Sequence, residues 1–275
     1  MENQLSNGEE FKVENIAREY DAFQFSIFSE KKYMNEIRSL LDLSSFSPEE
    51  VVVDIGCGTG LSTLCILEKN PKRVIGMDFS ELMLHQARKR LPHIEFIVGD
   101  ALHLSRIAPK ANKIVGASFF YFTPQPAQLL QEVSRALSPH GEFLFDVQLK
   151  TSEEENPSYY YYQTLIEAFA EELGISIQFL PWINPHRTYT ESEIANLARI
   201  ENFVVHRYAE RPIYTRDDLR RGHHHFLGQA SNYFLPFLID QKVERVIESA
   251  KKKMEPFYSN KLEGRLAKVC LKKKE

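Results

Sequence analysis

The chain is poor in the residues that would tie it to several common classes of protein. Its 275 residues include three cysteines, Cys57, Cys65 and Cys270, with no C-x-x-C pair, which excludes a disulfide framework and a thiolate zinc site and points to reduced thiols. No apolar run approaches the roughly 20 residues that a helix needs to cross a bilayer. The first ten residues are polar and acidic, so neither a signal peptide nor a membrane span is expected, and the setting read from the sequence is cytoplasmic. An excess of positive charge is missing too. With a formal net charge of −4 there is no electrostatic footprint for a phosphate backbone, and nucleic acid is not expected as a partner. The runs Lys251-Lys252-Lys253 and Lys272-Lys273-Lys274 read as a solvated helix face and a frayed terminus.

What is present is ordinary globular composition, 43% hydrophobic and 26% charged, enough to bury a full core in a single domain. The stretch Val51-Val52-Val53-Asp54-Ile55-Gly56-Cys57-Gly58-Thr59-Gly60 organises the rest. A β-branched run that ends in an acid and then glycines at alternate positions predicts a buried strand, a tight loop and a helix start. Such a loop turns sharply and lets a ligand approach its backbone, which Cβ atoms would prevent. Glycine-rich strand–helix turns bind NAD, FAD and phosphates as well, but the dinucleotide spacing G-x-G-x-x-G would place its third glycine where Leu61 stands. An NAD dehydrogenase is disfavoured on that spacing.

With D-x-G-x-G-x-G at Asp54 to Gly60 and Asp78-Phe79-Ser80-Glu81-Leu82-Met83-Leu84 at the end of a second apolar run, the chain resembles the class I S-adenosylmethionine-dependent methyltransferases. It is most similar to their small-molecule branch, which includes the quinone-precursor methyltransferases. The resemblance implies a doubly wound α/β fold with a seven-stranded, mostly parallel sheet, helical cap insertions and S-adenosylmethionine as cofactor, leaving S-adenosylhomocysteine as product. It implies that Asp54, Gly56, Cys57, Gly58 and Gly60 form the cofactor loop, that Asp78 holds the ribose diol, and that Phe79 and Met83 lie against adenine. Asp100 would reach the exocyclic amine beside Ala101, and the backbone at Ser118 would approach the methionine amine. The first helical segment, carrying Tyr20-Asp21, would close over the cofactor.

Periodicity organises the chain as one domain over 1–275: a helical cover at 11–43, a cofactor-binding core at 51–148, a cap insertion at 150–189, a helix and sixth strand at 190–212, a second insertion at 213–262, and a last strand and tail at 263–275. Strands are expected to begin near 51, 73, 94, 113, 142, 203 and 266, and the resemblance implies that the last two form an antiparallel edge hairpin. Ser80 is a helix N-cap, and Thr190 with Glu193 makes a capping box. His140, in Ser138-Pro139-His140-Gly141, and Asn202 stand where the family usually has glycine, so the resemblance implies left-handed backbone there, which His and Asn tolerate. The three histidines 223–225 point about 100° apart on a helix and make a poor chelate, so no metal is expected.

The reaction read from this is displacement at the sulfonium methyl by an O, N, S or C atom of a small molecule. An N/D-P-P-Y-type amine motif is missing after the fourth strand, and the 19 phenylalanines and 12 tyrosines suggest an apolar or aromatic acceptor. Tyr20, Tyr121, His186 and His206 are the candidates for a general base. Two alternatives stay open: a cofactor-binding regulatory or partner protein without catalysis, and an enzyme that uses the same cofactor for chemistry other than methyl transfer.

Overall fold

The computed structural model describes residues 30–108, 110–150, 187–212 and 265–274, with helical positions at 18, 20, 21, 167, 168, 170, 171, 245, 248, 249, 251–253 and 255 and a turn at 174. Helix α1 (Glu30–Leu41) precedes β1 (Val51–Ile55), α2 (Leu61–Leu67), β2 (Arg73–Asp78), α3 (Glu81–Arg90) and β3 (Glu95–Val98). A 3-10 turn (Ala101–His103) leads into α4 (Leu104–Ile107) and β4 (Ala111–Gly116); a second 3-10 turn (Phe120–Phe122) leads into α5 (Pro126–Ala136). The chain then runs through β5 (Leu137–Leu149), β6 (Thr188–Tyr189), α6 (Glu191–Ile200), β7 (Phe203–Pro212) and β8 (Arg265–Lys273).

These strands form one eight-stranded sheet in the order β3-β2-β1-β4-β5-β8-β7, with the two-residue β6 pairing beside the end of β5. The expected α/β fold is therefore present with one strand more than the seven foreseen. Strands β1 to β5 are parallel, and β8 runs antiparallel between β5 and β7. The strand order reverses around β1, between β2 and β4, which opens a crevice at their carboxyl ends.

Two strands begin earlier than periodicity suggests, β4 at 111 and β5 at 137, because the turn at 138–141 is absorbed as a register irregularity between Ala111 and Lys113. His140 takes φ 59° there and Asn202 takes φ 63° before β7, the left-handed backbone expected of both. The capping box at Thr190 and Glu193 is formed. The basic run 272–274 is not a frayed end. Lys272 and Lys273 lie in β8, and Lys273 Nζ donates to the carbonyls of Ser134 at 2.6 Å and Leu137 at 3.2 Å, closing the carboxyl end of α5.

Alternation along the strands gives the sheet two different faces. One face packs Val53, Ile55, Ile75, Met77, Ile114, Phe143, Phe145 and Val269 against α5 and α6. The other packs Val52, Val74, Val115, Leu144 and Cys270 against α1 and α2, and it carries the sheet's buried charges, Asp54, Asp78, Lys113, Asp146 and Lys268. Among the described residues no helix is long and apolar enough to cross a membrane. Most of both insertions, with His186 and the histidines 223–225, lies outside the described residues.

Candidate functional site

At the carboxyl end of β1 three glycines take left-handed backbone: Gly56 (φ 65°), Gly58 (φ 53°) and Gly60 (φ 85°). At Gly56 a side chain is excluded twice over, because a Cβ would also sit 2.3 Å from Phe119 Cδ2. The Cys57 N–H donates to the Met77 carbonyl at 3.1 Å and ties the loop to β2, burying the thiol and pushing it well up from its ordinary range. Gly60 then opens α2 as its N-cap residue.

Two buried carboxylates flank this loop. Asp54 is fully buried, and its Oδ2 accepts from Ser62 Oγ at 2.7 Å and Thr63 Oγ1 at 2.6 Å. Its Oδ1 has no hydrogen-bond partner. Burial pushes the Asp54 carboxyl up to about 7, with the two hydroxyls opposing the shift. Asp78 ends β2, where Oδ2 accepts the Gly58 N–H and Oδ1 accepts the Ser80 N–H, both at 2.9 Å. Burial raises Asp78 to about 6 despite these backbone donors. Among the described residues no cation pairs with either group. The Asp78 carboxylate at the mouth of the loop keeps acceptor capacity for ligand hydroxyls, which suits a cofactor bearing a diol, while the orphan oxygen of Asp54 is buried behind the loop.

Ser80 caps α3, its Oγ accepting the Met83 N–H at 3.2 Å, and this turns Met83 Cε to within 3.2 Å of where a Gly58 Cβ would lie. Phe79 is half-buried beside it. Asp100 follows β3, exposed, accepting the Leu102 N–H at 2.9 Å as cap of its own turn, with Ala101 buried behind it. Ser118 follows β4 with φ 53°, and its N–H donates to Asp146 Oδ1 at 2.7 Å. The structure thus brings Asp54, Gly56, Cys57, Gly58, Gly60, Asp78, Phe79, Met83 and Ser118 to one crevice, with Asp100 and Ala101 at its rim.

The four candidate bases separate. Tyr20 shares a side-chain hydrogen bond with Tyr33, which is bonded in turn to Ser118, so it stands over the crevice. Tyr121 follows β4 on a 3-10 turn, its ring 4.8 Å from that of Phe122 and its carbonyl accepting the Arg187 N–H at 3.1 Å. His206 does not join them. It lies on the edge strand β7, with β8, β5 and β4 between it and β1, and faces Glu142, near the amino ends of the parallel strands. A β7 side chain there cannot reach a group held at the glycine loop. His186 lies outside the described residues.

Sequence reasoning placed Tyr20-Asp21 over the loop but missed Arg90, which ties that segment to it. Asp21 Oδ1 accepts from Thr59 Oγ1 at 2.6 Å, and Arg90 bridges Asp21 Oδ2 and the Thr59 carbonyl. Tyr33 and Asp146 were missed too. Asp146 carried a usable signal, an acid inside the apolar strand Phe143-Leu144-Phe145; Arg90 and Tyr33, in amphipathic helices, carried none. Among the described residues no group of three or more histidine, cysteine or acidic side chains is placed to hold a metal.

The glycine crevice of a doubly wound sheet, with an acid at the end of β2, defines a nucleotide-type cofactor fold. A family model described as a methyltransferase domain matches residues 52–141. The trans-aconitate 2-methyltransferase of Sinorhizobium fredii (strain NBRC 101917 / NGR234) is 32% identical over 187 residues, 66% of this chain and 70% of that protein. The chain spans about half the length of other curated relatives, such as the enzyme of the same name from Azoarcus sp. (strain BH72), 34% identical over 123 residues, 44% of this chain and 48% of that protein. In fold it is similar to a methyltransferase from Thiobacillus denitrificans solved with S-adenosyl-L-homocysteine, with a TM-score of 0.58 at 16% identity, covering 94% of this chain and 98% of that one. The chain belongs to the class I S-adenosylmethionine-dependent methyltransferases of small molecules.

Proposed function

We propose that the chain is an enzyme that binds S-adenosylmethionine in the crevice at the ends of β1, β2 and β4 and transfers its methyl group to a small acceptor bearing a carboxylate. One observation carries the cofactor site: Asp78, buried and with no cation paired to it among the described residues, is aimed by backbone N–H groups of Gly58 and Ser80 beside the glycine loop. Its remaining lone pairs accept the two ribose hydroxyls. Asp54, buried behind the loop, acts on the cationic end across the loop and not by contact. Gly56, Cys57, Gly58 and Gly60 supply backbone at close approach, Phe79 and Met83 the apolar walls, Asp100 and Ala101 the rim at the base, and Ser118 the backbone at the amino acid end.

When bound, the cofactor supplies an electrophilic methyl on a sulfonium. The chain's task is then to orient the acceptor in line with that methyl and to keep water out. A carboxylate acceptor is supported by the relatives named for trans-aconitate, a polycarboxylate. Its oxygen is already nucleophilic at neutral pH, so no general base is required. This reading replaces the apolar or aromatic acceptor suggested by composition. The buried free cysteines support a cytoplasmic setting.

The test is turnover of S-adenosylmethionine with a panel of carboxylate, phenol, amine and thiol acceptors, read by product mass. A methyl ester formed only from carboxylates supports the reading. Cofactor binding without turnover on any acceptor overturns the enzyme assignment, and a product lacking the added methyl overturns the reaction.

A further inference from the structure

Asp146 is a buried carboxylate at the same end of the sheet as Asp54 and Asp78, and the site as assigned gives it no role. Its Oδ1 takes the Ser118 N–H at 2.7 Å, a short charge-assisted bond. Ser118 needs such a restraint. A serine at φ 53° sits in a region that L-residues with a Cβ avoid, and β4 ends just before it. The residue that follows is Phe119, whose ring fills the space over Gly56. The turn at Ser118 therefore decides where the first glycine of the loop meets its neighbour.

Two further elements converge on the same carboxylate. From β8, Lys268 is the cross-strand partner of Asp146; it is 2% exposed and donates to Glu36 Oε2 at 2.6 Å and to Ser39 Oγ. From α1, Tyr33 is hydrogen-bonded to Ser118 and to Tyr20, and it lies one turn before Glu36. Burial raises the Asp146 carboxyl to about 6, opposed by the Ser118 N–H and by Lys268.

We propose that Asp146 is a positioning residue of the cofactor site, holding Ser118 in the left-handed turn that seats Phe119 on Gly56, while Lys268 balances its charge and Tyr33 ties α1 and the Tyr20 segment to that turn. This rests on the crevice being the S-adenosylmethionine site. A role confined to anchoring α1 would change stability and leave affinity alone.

The experiment is calorimetric titration of the full chain with S-adenosylhomocysteine, which cannot react. Wild type is compared with Asp146→Ala, Asp146→Asn and the double variant Asp146→Ala/Ser118→Gly, each checked by circular dichroism. Asp146→Ala is expected to weaken binding about tenfold. Asp146→Asn, whose amide oxygen still accepts the Ser118 N–H, is expected to stay within about threefold of wild type. Glycine at 118 adopts positive φ without strain and is expected to recover most of the loss. Wild-type affinity in Asp146→Ala, or no recovery in the double variant, overturns the proposal. Should Asp146→Ala fail to fold, Ser118→Val decides, since its branched side chain opposes positive φ without touching β5. Retained affinity there overturns the proposal as well. Wild type that binds neither S-adenosylhomocysteine nor S-adenosylmethionine refutes the cofactor reading itself, an outcome distinct from all of these.

Discussion

The two faces of the sheet are built from the same strands by different rules. On the α5 and α6 face the packing is almost wholly apolar, with Phe120, Phe143 and Phe145 in contact at centroid distances of 4.4 to 6.4 Å and Tyr189 against Phe120 at 5.4 Å. On the α1 and α2 face the alternate positions of the same strands hold Asp54, Asp78, Lys113, Glu142, Asp146 and Lys268. That charged face differs from end to end. Near the amino ends of the strands Lys113 is paired with Glu142 at 2.8 Å and Glu50 at 3.3 Å. Burial works to raise Glu142, but Lys113 and Ser44 hold it below the ordinary carboxylate range. At the carboxyl ends, Asp54 and Asp78 are held only by neutral N–H and O–H donors. One face stores stability, and one end of the other holds charge that a cationic ligand can use.

The comparison can be broken from either side. Phe145→Ala empties the centre of the apolar face and is expected to cost about 3–5 kcal/mol in chemical denaturation, with the affinity of the folded fraction unchanged. A loss of affinity matching the loss of stability would mean that the two faces are not separable. Lys113→Ala leaves the half-buried Glu142 without its lysine partner, and about 1–3 kcal/mol of stability should go while S-adenosylhomocysteine still binds. Asp78→Ala should do the reverse. Two hydrogen bonds to a charged acceptor are worth about 3 kcal/mol together, so affinity is expected to fall at least a hundredfold while circular dichroism is retained.

Acid separates the two roles more finely. The carboxyls of Asp54, raised to about 7, and of Asp78 and Asp146, raised to about 6, bind protons more tightly folded than unfolded. Their contribution to stability is therefore fully present below the unfolded value of about 4 and is lost as pH rises through 6 to 7. If Asp78 holds the cofactor as a carboxylate, as proposed, binding runs the other way and should be about tenfold weaker at pH 5 than at pH 7. Melting curves and titrations at both pH values test this, and an affinity independent of pH would remove Asp78 from the site. The smallest effect belongs to Thr190→Ala, which removes the cap of α6 on the apolar side and should cost about 1 kcal/mol with no change in affinity.

Much of this was readable in order along the chain because its causes are local. The β-branched run before Gly56, the caps Ser80 and Thr190, and the left-handed positions His140 and Asn202 each follow from the chemistry of a few neighbouring residues. The pairing of Asp78 with the glycine loop was legible for a related reason, since a strand–helix–strand unit returns the chain beside its own start. By contrast, β4 and β5 began earlier than their periodicity suggested, because the partner strand and not the local pattern decides where a ladder starts.

By itself, then, the sequence determined the alternation of strands and helices in the cofactor half, the glycine loop and the acid beside it, all contained in one run of chain from 51 to 100. Only the tertiary structure decided that Tyr33, Ser118, Asp146 and Lys268 meet, that Arg90 clasps Asp21 to Thr59, and that His206 stands three strands away from the crevice. The physical reason is the β8 strand. It enters the sheet antiparallel between β5 and β7, and burying Lys268 requires carboxylates from elements far away in sequence, which no local pattern specifies.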